Sequence, residues 1–243
     1  MFLKTNLVFN KRRIASPVLC DIPEYIHICH RNDPKVAECI KDSIEFLRPQ
    51  LAKGLDEIES PGIDPFVLER VTIFESPGSK GLFAYLQNME VQGAGNFKIT
   101  KLKLDVEGMT YRLGIHIPLL YVTGSYNVSL NVVQNSIKEY GDFHANISDI
   151  DGQGVLQGAL EGNHLIMKSF QFKINVGDFD VDLGNLFESN PVIRQMANDI
   201  LLNNKAEIMR ISLPIIERKI SEHVLDISNR ITRNLDYNEV FPA

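Results

Sequence analysis

From Asn190 to about Leu235 the chain carries one apolar periodicity with no glycine in it, and any fold must find a place for that stretch. Asn190-Pro191 reads as a helix start, a capping side chain followed by proline at the first helical position. One further proline, Pro214, precedes Pro242. A helix of about 45 residues would be about 65–70 Å long, several times the average of about 11–12 residues. Leu202, Ala206, Met209, Leu213, Ile216, Ile220, Val224, Ile227, Ile231 and Leu235 step by three or four along one stripe. Ile193, Ala197, Ile200, Ile208, Ile211 and Ile215 form a second stripe that stops near Pro214. Beyond it Lys219, Glu222, Asp226, Arg230 and Arg233 take the opposite face. The first half is therefore expected to be enclosed on most sides and the second half amphipathic, with a possible kink at Pro214.

A helix that is apolar most of the way round must be enclosed by something, and the rest of the chain does not supply a bundle. From Val71 to about Leu186 the pattern changes to period two. Leu102, Leu104 and Val106 alternate with polar residues, as do Leu113, Ile115 and Ile117, then Val128, Leu130 and Val132. Phe143, Ala145 and Ile147 follow, then Phe170, Phe172 and Ile174, then Phe179, Val181 and Leu183. Turn signals at Glu107-Gly108, Asp151-Gly152, Glu161-Gly162-Asn163 and Val176-Gly177-Asp178 divide this into an antiparallel meander of about six to eight strands. Clean alternation leaves one face dry and one wet. The dry face needs a cover and the helix needs an enclosure. One α+β unit satisfies both: a strongly curved antiparallel sheet wrapped around the long C-terminal helix.

A shorter N-terminal helix is expected after Asn32-Asp33-Pro34, with Val36, Ile40, Ile44, Leu47, Leu51 and Leu55 along one face. Pro49 falls inside it and Gly54 near its end. Ser60 to Glu69 is a Pro/Gly-rich connection. Residues 1–19 read as an N-terminal tail or processing remnant, and 20–243 as a single domain.

The formal charge of −6 leaves no basic footprint for nucleic acid. No apolar run approaches the ~20 residues that span a bilayer. The N-terminus lacks the order of a usual signal peptide, because its short apolar piece precedes Lys11-Arg12-Arg13. Three cysteines, Cys20, Cys29 and Cys39, allow one bridge in three pairings.

No catalytic constellation is legible. Gly93-Ala94-Gly95 and Gly152-Gln153-Gly154 lack the lysine of a phosphate loop and the spacing of a dinucleotide fingerprint, and read as bends or bulges. Asp149-Ile150-Asp151-Gly152-Gln153-Gly154 lacks the remaining ligands of a calcium loop. The six histidines are scattered, so no metal and no cofactor is expected. Asn127-Val128-Ser129 and Asn146-Ile147-Ser148 are glycosylation sequons.

Several segments, in order and spacing, resemble the insect takeout / juvenile-hormone-binding protein family. Cys29 to Cys39 (CHRNDPKVAEC) resembles the family's first cysteine loop, and Ile44 to Gly54 its first helix. Gly62 to Phe66, Val91 to Phe97 and Lys101 to Asp105 resemble the connection and early strands that follow. Gly124-Ser125-Tyr126 falls where the family has a Gly and a Tyr. Asn185-Leu186-Phe187, Asn198 and Leu202-Asn203-Asn204 resemble the start of the long helix, and Glu239 to Pro242 the closing segment. The resemblance runs from Ile22 to Pro242. Leu130 and Glu139 stand about where the family has glycines, and the second, sheet-side disulfide of the hormone-binding branch has no cysteines here. That absence favours the takeout branch; members of the family are linked to juvenile hormone transport, feeding, chemosensation and circadian, clock-controlled expression.

The resemblance implies a long helix wrapped by a curved sheet, a Cys29–Cys39 bridge, and a tunnel carrying a hydrophobic small molecule in extracellular fluid. The ligand would be a terpenoid such as juvenile hormone or a fatty-acid-like lipid. The missing catalytic constellation points to no enzymatic activity, the acidic charge to at most transient membrane contact, and a monomer is expected. Leu104, Leu113, Ile115, Tyr126, Val128, Leu130, Phe143, Phe172, Phe179, Ile200, Ile208 and Met209 are the candidate lining residues, with Tyr126 a polar handle for a headgroup. Two other classes stay open: a membrane lipid-transfer module resembling the bactericidal/permeability-increasing proteins, and an interaction protein with a filled core that acts through its surface.

Overall fold

The computed structural model describes residues 27–56, 60–75, 81–132, 135–184, 194–195, 203, 205–233 and 235–243. Helix α1 (Val36–Lys53) is followed by a two-residue pair, β1 (Gly54–Leu55) and β2 (Ser60–Pro61). Six longer strands follow: β3 (Phe66–Glu75), β4 (Gly81–Gln92), β5 (Lys98–Asp105), β6 (Thr110–Val132), β7 (Asn135–Glu161) and β8 (His164–Asp182). The chain ends with the long helix α2 (Lys205–Arg233) and the short helix α3 (Tyr237–Val240). The six strands form one antiparallel sheet in the order β3-β4-β6-β7-β8, with β5 paired to the first part of β6. The sheet curls around α2 as a half-barrel, as the alternation and the helical stripe predict.

Two of the predicted turns are not turns. Asp151-Gly152 lies inside β7 and Val176-Gly177-Asp178 inside β8, so strands read as separate are single strands of 27 and 19 residues. The apolar alternation changes phase within them. On β6, Leu113, Ile115 and Ile117 face inward at odd positions, and Leu120, Val122 and Tyr126 at even ones. On β7 the change runs from Phe143, Ala145 and Ile147 to Ile150, and on β8 from Ile174 and Val176 to Phe179 and Val181. All three steps fall on one line across the sheet, at Pro118, Asp149 and Gly177, where the register itself does not slip. Asp149 has φ 52°, in the left-handed region that Asp tolerates better than most residues. A Cβ on Gly177 would lie 2.7 Å from that of Asp149. A second step crosses β3 and β4 at Glu69 and Asn88 (φ 51°), where β4 carries a bulge against β6. Each step turns the chain so that apolar side chains point into the concave side both before and after it.

Gly152 and Gly154, expected as bends or bulges, stand in the ladder of β7. Their missing side chains make room for aromatic rings: a Cβ on Gly152 would be 2.5 Å from Phe172, and one on Gly154 2.7 Å from Phe170. These two phenylalanine rings stack on each other, centroids 5.6 Å apart.

Helix α2 has 29 residues, about 43 Å of helix. The earlier part of the predicted stretch falls mostly outside the described residues. Pro214 lies within α2 without ending it. Leu235, assigned to the helical stripe, lies beyond the last turn and is buried. The helix runs along β8, the open edge of the sheet, and its side chains bond the strand's outward backbone groups. Asn229 accepts from the Met167 N–H and donates to the Met167 carbonyl, Glu217 accepts from the Ile174 N–H, and Lys205 donates to the Phe179 carbonyl. An unpaired strand edge is thereby covered. On the solvent side Lys219 pairs with Glu222, and Arg230 with Asp226.

Helix α1 starts slightly later than its sequence signal, because the Asp33 carboxylate accepts from the Lys35 N–H before the helix begins at Val36. Gly54 (φ 100°) ends it. Cys29 and Cys39 are joined by a disulfide that closes a loop of 10 residues, worth about 2–3 kcal/mol in the chain-entropy view. Cys20 is outside the described residues. The bridged loop grips the C-terminus: the Arg31 N–H donates to the Pro242 carbonyl at 2.7 Å, Arg31 Nη1 to Asn238 Oδ1 at 3.0 Å, and the guanidinium lies over the Tyr237 ring. Cys29, Leu165, Met167, Tyr237 and Phe241 form a buried cluster that fills this end of the half-barrel. Burial there, with Tyr237 beside it, pushes the Tyr111 phenol far above its usual pKa. No helix among the described residues is long and apolar enough to cross a membrane.

Candidate ligand cavity

At the other end the described residues leave the half-barrel unfilled. A cavity of about 330 Å³ lies between the concave sheet and the first half of α2, within the ~300–1,000 Å³ of small-molecule sites. Strand β3 contributes Phe66, Leu68, Val71 and Ile73, and β4 Leu86, Met89 and Val91. Strand β6 adds Leu120 and Val122; β7 adds Phe143, Ala145, Ile147 and Ile150. Strand β8 adds Ile174, Val176, Phe179 and Val181, and Leu183 follows just after its end. Helix α2 closes the wall with Ile208, Met209, Ser212, Leu213, Ile216 and Ile220. Among the described residues of this wall Ser212 carries the one hydroxyl, and it donates to the Ile208 carbonyl one turn back at 2.7 Å. Its hydrogen is therefore already used, and the wall offers a ligand contact surface rather than polar partners.

Of the candidate residues, Phe143, Phe179, Ile208 and Met209 meet in this wall. Tyr126 and Val128 lie in the core cluster that Val71, Met89, Val122 and Phe143 build. The Tyr126 ring packs over Gly141, whose Cβ would lie 2.7 Å from the hydroxyl. Burial first, and the Glu139 and Asp142 carboxylates second, push its pKa upward. Leu113, Ile115 and Phe172 line the concave side farther along, around Gly152 and Gly154. Leu104 is half-buried on β5 opposite Tyr111. The side chain of Leu130 and the whole of Ile200 lie outside the described residues. Asn127 and Asn146 are on the outer, convex face, between inward-facing neighbours.

Sequence reasoning left out the β3 and β4 wall. The phase steps at Glu69 and Asn88 break the alternation by which strands were recognised. Leu213, Ile216 and Ile220 were legible as a helical stripe, but nothing in a stripe separates core from cavity wall.

The seam between α2 and the β3 edge is closed by Phe66 and His223, whose rings meet edge to face with centroids 4.8 Å apart. Burial holds the His223 pKa below its ordinary value. Asp226 opposes that shift, and Arg230 adds to it.

The sequence profile of the haemolymph juvenile hormone binding protein family matches residues 13–242. A Schistocerca gregaria protein whose name refers to beta-carotene binding is 19% identical over 224 residues, covering 90% of this chain and 88% of that protein. The crystal structure of Epiphyas postvittana Takeout 1 superposes with a TM-score of 0.72 at 18% identity, over 89% of this chain and 99% of that one. That likeness shows the same fold. A profile match over nearly the whole length, joined to this fold, makes the chain a member of the haemolymph juvenile hormone binding protein family.

Proposed function

We propose that this protein is a soluble extracellular carrier that holds a hydrophobic small molecule in its internal cavity and does no chemistry on it. The observation that carries the reading is a cavity wall in which, among the described residues, the one hydroxyl, on Ser212, is already spent on the Ile208 carbonyl. Burying a polar group without a partner costs about 1–3 kcal/mol, and a charge far more. The cavity therefore suits the hydrocarbon part of a terpenoid or fatty-acid-like ligand, with any headgroup placed beyond these walls. A 15-carbon isoprenoid would bury about 400 Å² of apolar surface, roughly 10 kcal/mol gross. Ordering and association costs reduce that substantially. Micromolar to nanomolar affinity follows without catalysis. The name of the Schistocerca gregaria relative, which refers to a pure hydrocarbon, supports the same ligand class. The Cys29–Cys39 bridge fits an oxidising, extracellular setting. In this reading residues 20–243 act as one monomeric carrier domain.

The test is native extraction from the source tissue and mass spectrometry of what co-purifies, followed by displacement of an apolar fluorescent probe with terpenoids and fatty acids of graded length. Stoichiometric displacement with the ligand recovered unchanged supports a carrier. Ester hydrolysis at the same site, or a protein that takes up no apolar probe, overturns it.

A further inference from the structure

The convex face of the sheet carries tyrosines that the carrier reading leaves unused. Tyr140 is 82% exposed and Tyr121 51% exposed. Large aromatic side chains seldom stand so bare on a strand, because their value lies in the surface they bury. Both are placed by the register. Tyr140 on β7 is the Cα partner of Asn127 on β6, and Tyr121 on β6 is the partner of Asn146 on β7. Directly opposed residues of an antiparallel pair bring their side chains together on one face. Asn127 and Asn146 are the two sequon asparagines, so each faces an exposed ring across the same ladder. Asn127 has a second tyrosine neighbour, Tyr85 on β4. That ring is covered, with the Arg70 guanidinium 3.8 Å from its centroid. Among the described residues no cation or ring stacks on Tyr140 or Tyr121. Their other surroundings are polar: Ser125 donates to Asp142 on the same face.

We propose that Asn127 and Asn146 are N-glycosylated and that the first sugar of each glycan lies on the tyrosine across the ladder, Tyr140 for Asn127 and Tyr121 for Asn146. In the transfer the asparagine Nδ2 attacks the anomeric carbon of a lipid-linked diphosphate oligosaccharide. The new C–N bond forms as the C–O bond to the diphosphate breaks, and the amide proton is lost to base. An N-acetylglucosamine has one face of C–H bonds, which suits an aromatic ring. The attached sugar needs no association step, so even a weak contact is occupied. The glycans would thus cover the tyrosines of a face that otherwise exposes rings to solvent. The inference rests on the extracellular route proposed above.

The protein is expressed in a eukaryotic secretory host, and peptide mapping reads occupancy at both sites. Both asparagines are expected to be modified. Tyr140→Ser is then compared in the glycosylated protein and in the Asn127→Gln background. The thermal midpoint should fall by about 1–3 °C in the first and stay unchanged in the second, where a loss of this size is resolvable for a chain of this length. Trimming the glycan to its first N-acetylglucosamine should preserve the difference. Unmodified Asn127 or Asn146 in the secreted protein overturns the modification. Equal shifts in both backgrounds overturn the tyrosine seat. Apolar-probe binding by the Asn127→Gln protein is measured alongside, so failure of the carrier reading shows separately.

Discussion

Asn229 and Met167 hold each other as two strands would: the Asn229 carboxamide donates to the Met167 carbonyl at 2.9 Å and accepts from its N–H at 2.8 Å. A side chain of α2 thereby completes the ladder on the open edge of β8. The helix is both the core the sheet wraps and the cover of its edge.

Asn229→Ala should leave both Met167 backbone groups unpaired in a half-buried place, at a cost of about 1–3 kcal/mol. Asn229→Asp keeps the acceptor and loses the donor, setting a carboxylate against the Met167 carbonyl. It should destabilise at least as much as the alanine. Urea midpoints give the energy, and faster exchange of the Met167 amide localises it. A stable Asn229→Asp protein with a protected amide would show that the edge is held by packing alone.

The Cys29–Cys39 loop stabilises more than its own ten residues, because Arg31 and His30 within it hold the chain end: the Arg31 N–H bonds Pro242, and His30 Nδ1 lies 3.0 Å from the Ala243 carbonyl oxygen. Cys39→Ser should cost about 2–3 kcal/mol through loop entropy. It should also expose the Tyr237–Phe241 pair to exchange and proteolysis. If the C-terminal peptide stays as protected as in the parent protein, the grip does not depend on the bridge.

The architecture was legible because two periodicities make complementary demands. The stripe from Met209 to Ile231 wants enclosure, and the alternation from Leu102 onward wants a cover. Strand lengths were not, because Gly152 and Gly177 look like turn residues when the chain is read locally. In the sheet they are places where Phe172 and Asp149 come close. The filled and empty ends of the half-barrel were not separable either. Phe170 in the core and Phe179 in the cavity wall are the same residue at the same kind of position, and only the three-dimensional packing distinguishes them. The Arg31–Pro242 clasp joins positions that no local pattern relates.

Ile208 lines the cavity, whereas Ile227 sits on the shared stripe beyond it. Ile227 is half-buried, so Ile227→Ala should cost about 1–3 kcal/mol through lost apolar burial. Ile208→Ala enlarges an existing space, so its stability loss should fall at the low end of that range and its preferred fatty-acid length should increase. Lys219→Ala and Arg230→Ala remove exposed pairs on the solvent side and should change stability by no more than about 0.5 kcal/mol. Thermal midpoints and displacement titrations separate these outcomes. Equal changes of ligand preference at Ile208 and Ile227 would place the ligand elsewhere.

The Phe66–His223 seam should make ligand retention depend on pH, and the sign follows from the direction of the His223 shift. Burial lowers its pKa in the folded protein, so the imidazole stays neutral there at a pH where the unfolded chain already binds a proton. Stability from this group is therefore complete above the unfolded value near 6.5 and is lost as pH falls through the lower folded value. Partial burial beside Phe66 disfavours the protonated His223 ring, and Phe66 is part of the cavity wall. Asp226 on the same helix favours the cation and Arg230 disfavours it, so their pairing moderates the effect without reversing it. Probe dissociation should quicken between pH 7 and pH 5 in the parent protein. In His223→Leu, which keeps the apolar contact and removes the proton site, the rate should be flat over that window. A parent protein whose release rate does not change, or a leucine variant with the same pH slope, would remove His223 from any control of the seam.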